Sequence, residues 1–173
     1  MSTSGDELRR LRLLQVEIQQ GRATLARLAA TADTYSRRIN ADSPQPELLA
    51  AVGLALHHVY TAVEEILLAI ARTLDGGPLR GEAWHRSILV QLGRAVPGIR
   101  PAVLGPETLT FLDELRRFRH VVRHAYEYEL DWRRLEPLVA GLQTGLALVL
   151  ADLRNCEDFI SNLMAAGGSP ANS

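Results

Sequence analysis

The sequence predicts an all-α fold: an up-and-down antiparallel bundle of about five helices. Three observations predict it. Apolar residues recur at helical spacing along almost the whole chain. No segment sustains the period-two alternation of a half-buried strand. The interruptions are short and made of turn residues, namely Asn40 to Pro46, Asp75 to Pro78 and the proline- and glycine-rich stretch from Val96 to Pro106.

The first helix is expected from about Asp6 to Arg38. Leu11, Ile18, Leu25, Ala32 and Ile39 repeat every seven residues, and Leu14, Gly21, Leu28 and Tyr35 interleave with them. That is a coiled-coil-like seam with one weak position, Gly21, which fits either a close helix crossing or a tolerated loss of helix propensity. The second helix is expected from Pro46 to Leu74. Its stripe is Leu49, Val52, Leu56, Val59, Val63, Ile66, Leu67 and Ile70, and DGGP stops it. A shorter third helix follows from about Glu82 to Arg94. The fourth runs from about Glu107 to Glu129, and the fifth from about Trp132 to Met164, with Pro137 in its first turns. The fifth stripe reads Leu135, Leu138, Val139, Leu142, Leu146, Val149, Leu150, Leu153, Cys156, Ile160 and Leu163. One domain, residues 1–165, is expected, with 166–173 as a disordered tail.

Composition narrows the function classes. The 173 residues carry 19 basic groups, all arginine, against 20 acidic ones, a net charge of −1. Near-neutrality argues against a broadly basic nucleic-acid binder but leaves room for a local basic groove. A single cysteine, Cys156, allows neither an internal disulfide nor a cysteine zinc cluster, and it fits a reducing cytoplasm. The polar start MSTSGDELRRLR does not read as a signal peptide. The longest uninterrupted apolar run, Leu48 to Leu56, falls short of the ~20 residues that span a bilayer, so no membrane association is expected.

The segment that carries chemistry runs from Asp113 to Trp132, DELRRFRHVVRHAYEYELDW. At about 100° per residue, Arg116, Arg119, His120, Arg123, His124 and Tyr126 gather on one helical face. Phe118, Val121, Val122 and Ala125 fall opposite, as a core anchor, so the polar face is expected to meet solvent or a second subunit. Flanking acids make a solvated, ion-paired face the bland alternative, each pair contributing only ~0.2–0.5 kcal/mol. Yet arginine with histidine is the combination that metal-independent RNA cleavage requires. Arginine neutralises the phosphate, and histidine, with an ordinary pKa near ~6.5, moves protons. A metal is not expected. His120 and His124 stand at i,i+4, but no glutamate follows His120, no third ligand is evident, and the arginines repel a cation. No cofactor is expected either.

Arg119-His120-Val121-Val122-Arg123-His124-Ala125-Tyr126 resembles the R-x4-H-x-Y motif of HepT-like toxins, within the HEPN superfamily of helical ribonucleases. The stretch from Tyr60 to Gly77, YTAVEEILLAIARTLDGG, is similar to that family's helix before the loop. GEAWHRSIL, from Gly81 to Leu89, resembles its G-E-x-W-H segment, and the resemblance spans roughly Asp6 to Leu163. It implies a homodimeric helical bundle in which two copies of the motif line one cleft. It implies a metal-independent endoribonuclease serving as the toxin of a toxin–antitoxin pair, with RNA and not DNA as substrate. By the resemblance Arg119 binds the scissile phosphate and His124 is the general acid/base. Arg116, His120 and Arg123 are candidate RNA contacts, the outer two arginines being equally suited to local ion pairs. Tyr126 is similar to the tyrosine that a cognate MNT-type nucleotidyltransferase antitoxin adenylates, which places charge and bulk in the cleft.

One geometric difficulty accompanies this. Arg119 and His124 are five residues apart, about 140° around an ideal helix, so one helix does not aim both at one phosphate. A dimer cleft, a long arginine side chain or a local irregularity resolves it. The competing reading is a non-catalytic helical adaptor that binds a small nucleotidyltransferase. Elsewhere, Trp84 is expected as a core or interface anchor and His85 as structural. His57 and His58 are expected at the surface or between helices, Tyr60 in the core or near the motif, and Arg133 and Arg134 at a solvated helix start.

Overall fold

The computed structural model describes residues 3–77, 84–123 and 130–167. They form five helices: α1 (Thr3–Ser36), α2 (Pro46–Leu74), α3 (Trp84–Leu92), α4 (Pro106–Arg123) and α5 (Trp132–Gly167). Among the described residues the only β-type pairing is an isolated bridge between Val96 and Arg100. The all-α bundle expected from the sequence is the fold. The ends of the expected third and fourth helices, at residues 82–83 and 124–129, lie outside the described residues, as does the tail from 168. Helix α5 continues to Gly167, past the expected tail boundary.

Helix α2 is the hub and packs against all four others. Its bounds follow from local chemistry: Pro46 sits in the first turn, where a missing N–H costs nothing, and Gly76 takes φ +81 just past the end. Every residue of its expected stripe is buried. By length and mean hydropathy α2 and α5 both resemble membrane-crossing helices. In the bundle α2 spends that apolar surface on its neighbours, and α5 buries Leu135, Leu142, Leu146, Val149, Leu153, Cys156 and Ile160 against the same core. Leu163, at the far end of the α5 stripe, is exposed instead.

The α1 seam packs on α2. Leu14, Ile18, Leu25 and Ala32 are fully buried. Gly21 is a close crossing, because a Cβ there would stand 2.5 Å from Cγ1 and Cδ1 of Ile66. Helix α1 is tied to α5 by polar contacts as well. Arg22 pairs with Glu157 at 2.5 Å, and Gln15 donates to Ser161 Oγ at 2.8 Å. Asp131 opens α5, its carboxylate accepting the Arg133 backbone N–H at 3.0 Å.

Between α3 and α4 the chain folds around Arg100, whose side chain is fully buried. Its Nε and one terminal nitrogen grip the Asp75 carboxylate at 2.6 and 2.7 Å. The remaining donors reach the carbonyls of Gln91 (3.2 Å), Arg94 (2.8 Å) and Pro101 (3.1 Å). The guanidinium thus satisfies carbonyls at the C-terminal end of α3, which have no partner within that helix, and clamps α3 to the end of α2. Asp75 also accepts from Gln91 at 2.5 Å. Burial alone would raise the Asp75 pKa. The hydrogen bonds from Arg100 and Gln91, with the Arg100 charge, outweigh burial and hold it below the ordinary value.

Candidate active site

Helices α2, α3 and α4 pack against one another, and where they meet they bring together four polar side chains. Tyr60 and Glu64 stand one turn apart on α2, His85 is at the start of α3, and Arg119 is on α4. Glu64 lies on the core side of α2, 3% exposed, where an unpaired carboxylate would be strongly unfavourable. Its Oε1 is 2.5 Å from His85 Nδ1. One terminal nitrogen of the Arg119 guanidinium lies over the same ring, 2.8 Å from Nε2 and 3.2 Å from Nδ1. Arg119 is half-buried and turned inward. The expectation that the whole polar face of α4 meets solvent or a second subunit is therefore corrected at this residue. The physical reason is the buried carboxylate on α2, which draws positive charge inward through the imidazole.

Trp84 is only half-buried, so it is not a core anchor within the chain. It stacks on His85 instead, with ring centroids 3.7 Å apart and planes tilted by 37°. Tyr60 is fully buried beside Glu64. Its hydroxyl makes no well-formed hydrogen bond among the described residues. Burial first, then the Glu64 charge and contact, raise its pKa far above the ordinary phenol value, and Arg116 and Arg119 only partly oppose this. Tyr60 is therefore held as a neutral phenol.

The α4 arginines differ in what they hold. Arg116 lies 2.8 Å from Asp113 Oδ1, and Arg117 lies 2.7 Å from Asp113 Oδ2. Burial would raise the Asp113 pKa, but the hydrogen bond and charge of Arg116, with those of Arg117, lower it. Of Arg116, Arg117 and Arg119, only Arg119 has no carboxylate among its described direct partners, and its Nε is buried without a hydrogen bond. Its positive charge is thus held in place without direct neutralisation, the condition under which an arginine best receives an anion.

His120 and Arg123 lie on the described backbone of α4, but their side chains, and all of His124 and Tyr126, are outside the described residues. Among the described residues no group of three His, Cys, Asp or Glu side chains is placed to hold a metal. Residues 51–160 match the profile of the HepT-like protein family. The chain belongs to the HepT-like family. No curated protein and no solved structure shows a significant match to it. In this HepT-like chain the matched region runs from α2 into α5 and takes in both the Glu64–His85–Arg119 cluster and the segment from Arg119 to Tyr126.

Sequence reasoning missed Glu64 altogether and took His85 as structural. One signal was present: Glu64 sits among Tyr60, Val63 and Leu67 on an otherwise apolar face, and a carboxylate there demands a buried partner.

Proposed function

We propose that this protein is a metal-independent endoribonuclease of the HEPN type, acting as the toxin of a toxin–antitoxin pair in the cytoplasm. In this reading Arg119 binds the scissile phosphate and His124 serves as general acid/base. Arg116, His120 and Arg123 contact flanking RNA. Two chains form a homodimer whose cleft carries both copies of the motif, and Tyr126 is adenylated by an MNT-type nucleotidyltransferase antitoxin. The observation that carries the reading is membership of the HepT-like family across the segment holding Arg119, His124 and Tyr126. The inward hold on Arg119, with no carboxylate directly on it, is consistent with a phosphate-binding role.

The test is cleavage of a fluorescent RNA in EDTA by the purified protein. Cleavage that disappears in both Arg119→Ala and His124→Ala, with helical content unchanged, supports the reading. A protein with no activity that still binds a nucleotidyltransferase would be the non-catalytic adaptor. Mass spectrometry after co-expression with the nucleotidyltransferase tests the regulatory part, which predicts an adenylate increment on Tyr126 and none in Tyr126→Phe.

A further inference from the structure

Of the described Phe, Tyr and Trp side chains, Tyr35, Tyr60, Phe111, Phe118, Trp132 and Phe159 lie in the core or pack against it. Trp84 is the exception: it is partly exposed and stands outside the core. Burying an indole is among the largest gains a core position offers, so one left at the rim points to a contact made outside the core. Its described ring partner is His85, with centroids 3.7 Å apart. A terminal nitrogen of Arg119 stands over that imidazole too, 2.8 Å from Nε2 and 3.2 Å from Nδ1. Two groups this near to one face of a five-membered ring would overlap, so the indole and the guanidinium take opposite faces. Glu64 holds the same ring by its edge, Oε1 lying 2.5 Å from Nδ1. The Glu64 side chain is 4% exposed and that of His85 21%. The indole is thus mounted on a support fixed from the core, one ring's thickness from the Arg119 guanidinium.

We propose that Trp84 is a base-stacking residue, which receives an unpaired nucleobase of the RNA beside the phosphate that Arg119 holds. The proposal rests on the reading of Arg119 as the phosphate-binding residue. Every base has a π-face, and an aromatic side chain next to a cationic contact is a common grip on single strands. A base on the face of the indole turned away from His85 lies a further ring's thickness from Arg119. That distance assigns it to a nucleotide flanking the held phosphate. In a duplex both faces of a base are already stacked on its neighbours, so this site selects single-stranded or looped RNA over paired RNA. The surroundings favour RNA over an apolar protein interface as the occupant. On the far side of His85 stands a guanidinium with no carboxylate among its described direct partners and with Nε buried without a hydrogen bond, which suits a polyanion.

The experiment separates stacking from phosphate contact. Fluorescence anisotropy compares two probes with the same number of phosphates, a single-stranded 2′-deoxy oligonucleotide and its abasic counterpart, which has no bases. The wild-type protein is expected to bind the base-bearing probe about tenfold tighter or more. Trp84→Leu should lose most of that difference and bind the abasic probe within about twofold of the wild type. Arg119→Ala should weaken both probes alike. The base-bearing probe should also quench tryptophan fluorescence in the wild type and not in Trp84→Phe, and this comparison decides the matter should Trp84→Leu not fold. Equal binding of the two probes by the wild type overturns the proposal and leaves the ribonuclease reading intact. So does an equal loss of both probes in Trp84→Leu, which would make Trp84 only a support for Arg119. A shift to a smaller assembly in sedimentation of Trp84→Leu, with probe discrimination retained, overturns it in favour of a protein interface. Failure of the wild-type protein to bind either probe or to cleave RNA overturns both readings.

Discussion

Arg100 and Asp75 show what one buried ion pair does in this fold. Replacing Asp75 by asparagine leaves the fully buried guanidinium without its counter-charge, and breaking such a pair typically costs about 3–5 kcal/mol. The acid response follows with a definite sign. The folded-state pKa of Asp75 is depressed, so its contribution is fully present above the unfolded value near ~4 and is lost as pH falls through the folded value. Urea unfolding at neutral pH should show the full loss in Asp75→Asn. Below about pH 4 the variant's stability should fall less steeply than that of the wild type. Tyr60 gives the opposite case. Its hydroxyl is sealed beside Glu64 without a well-formed bond, so Tyr60→Phe should change unfolding free energy by less than about 1 kcal/mol. A substantially larger loss would show that the phenol holds Glu64 in place.

At the scale of elements, the crossing of α1 and α2 is set by Gly21 against Ile66. Alanine at 21 gains about 1 kcal/mol of helix propensity but forces Ile66 to move, and overpacking of this kind costs about 1–3 kcal/mol. Gly21→Ala should therefore destabilise the wild type yet stabilise an Ile66→Ala background, and denaturation midpoints of the four proteins measure that change of sign. Gly21 was ambiguous in sequence because a seven-residue seam shows that a position faces a neighbour, not how near the neighbour lies. Where signals were local, the elements were legible: Pro46 and DGGP fixed both ends of α2, and ELDW marked the start of α5. Arg119 was legible through its spacing to His124 and Tyr126. The cluster it joins was not, since its partner His85 lies 34 positions away along the chain, and Glu64, the partner of His85, lies 55 away; they come together only through packing of three helices. Arg100 was likewise hidden in a proline-rich loop, with nothing local to pair it to Asp75.

For the whole molecule, the net charge of −1 constrains how RNA would be held under the proposed function. A broad basic surface would neutralise many phosphates, whereas a cleft centred on Arg119 engages few. Binding to single-stranded RNA weakens with salt at a slope near −0.7 per phosphate contact, so a cleft touching roughly two to four phosphates predicts a slope of about −1.5 to −3. Fluorescence anisotropy across a salt series measures it, and a slope far steeper would place the contacts on a wider surface.

The same core that carries this centre encloses Cys156, 4% exposed on α5. Burial, against a smaller opposing effect of Arg100, pushes its thiol up to about 11. As the chain's only sulfhydryl it is a chemical clock built into the bundle. A thiol reagent should label the native protein only as fast as α5 parts from its neighbours, so the labelling rate reports the opening frequency of the fold. Measured with and without a 2′-deoxy oligonucleotide, which lacks the 2′-hydroxyl that the proposed cleavage uses, that rate should drop if the oligonucleotide binds and holds the helices together, giving a readout of binding that requires no turnover.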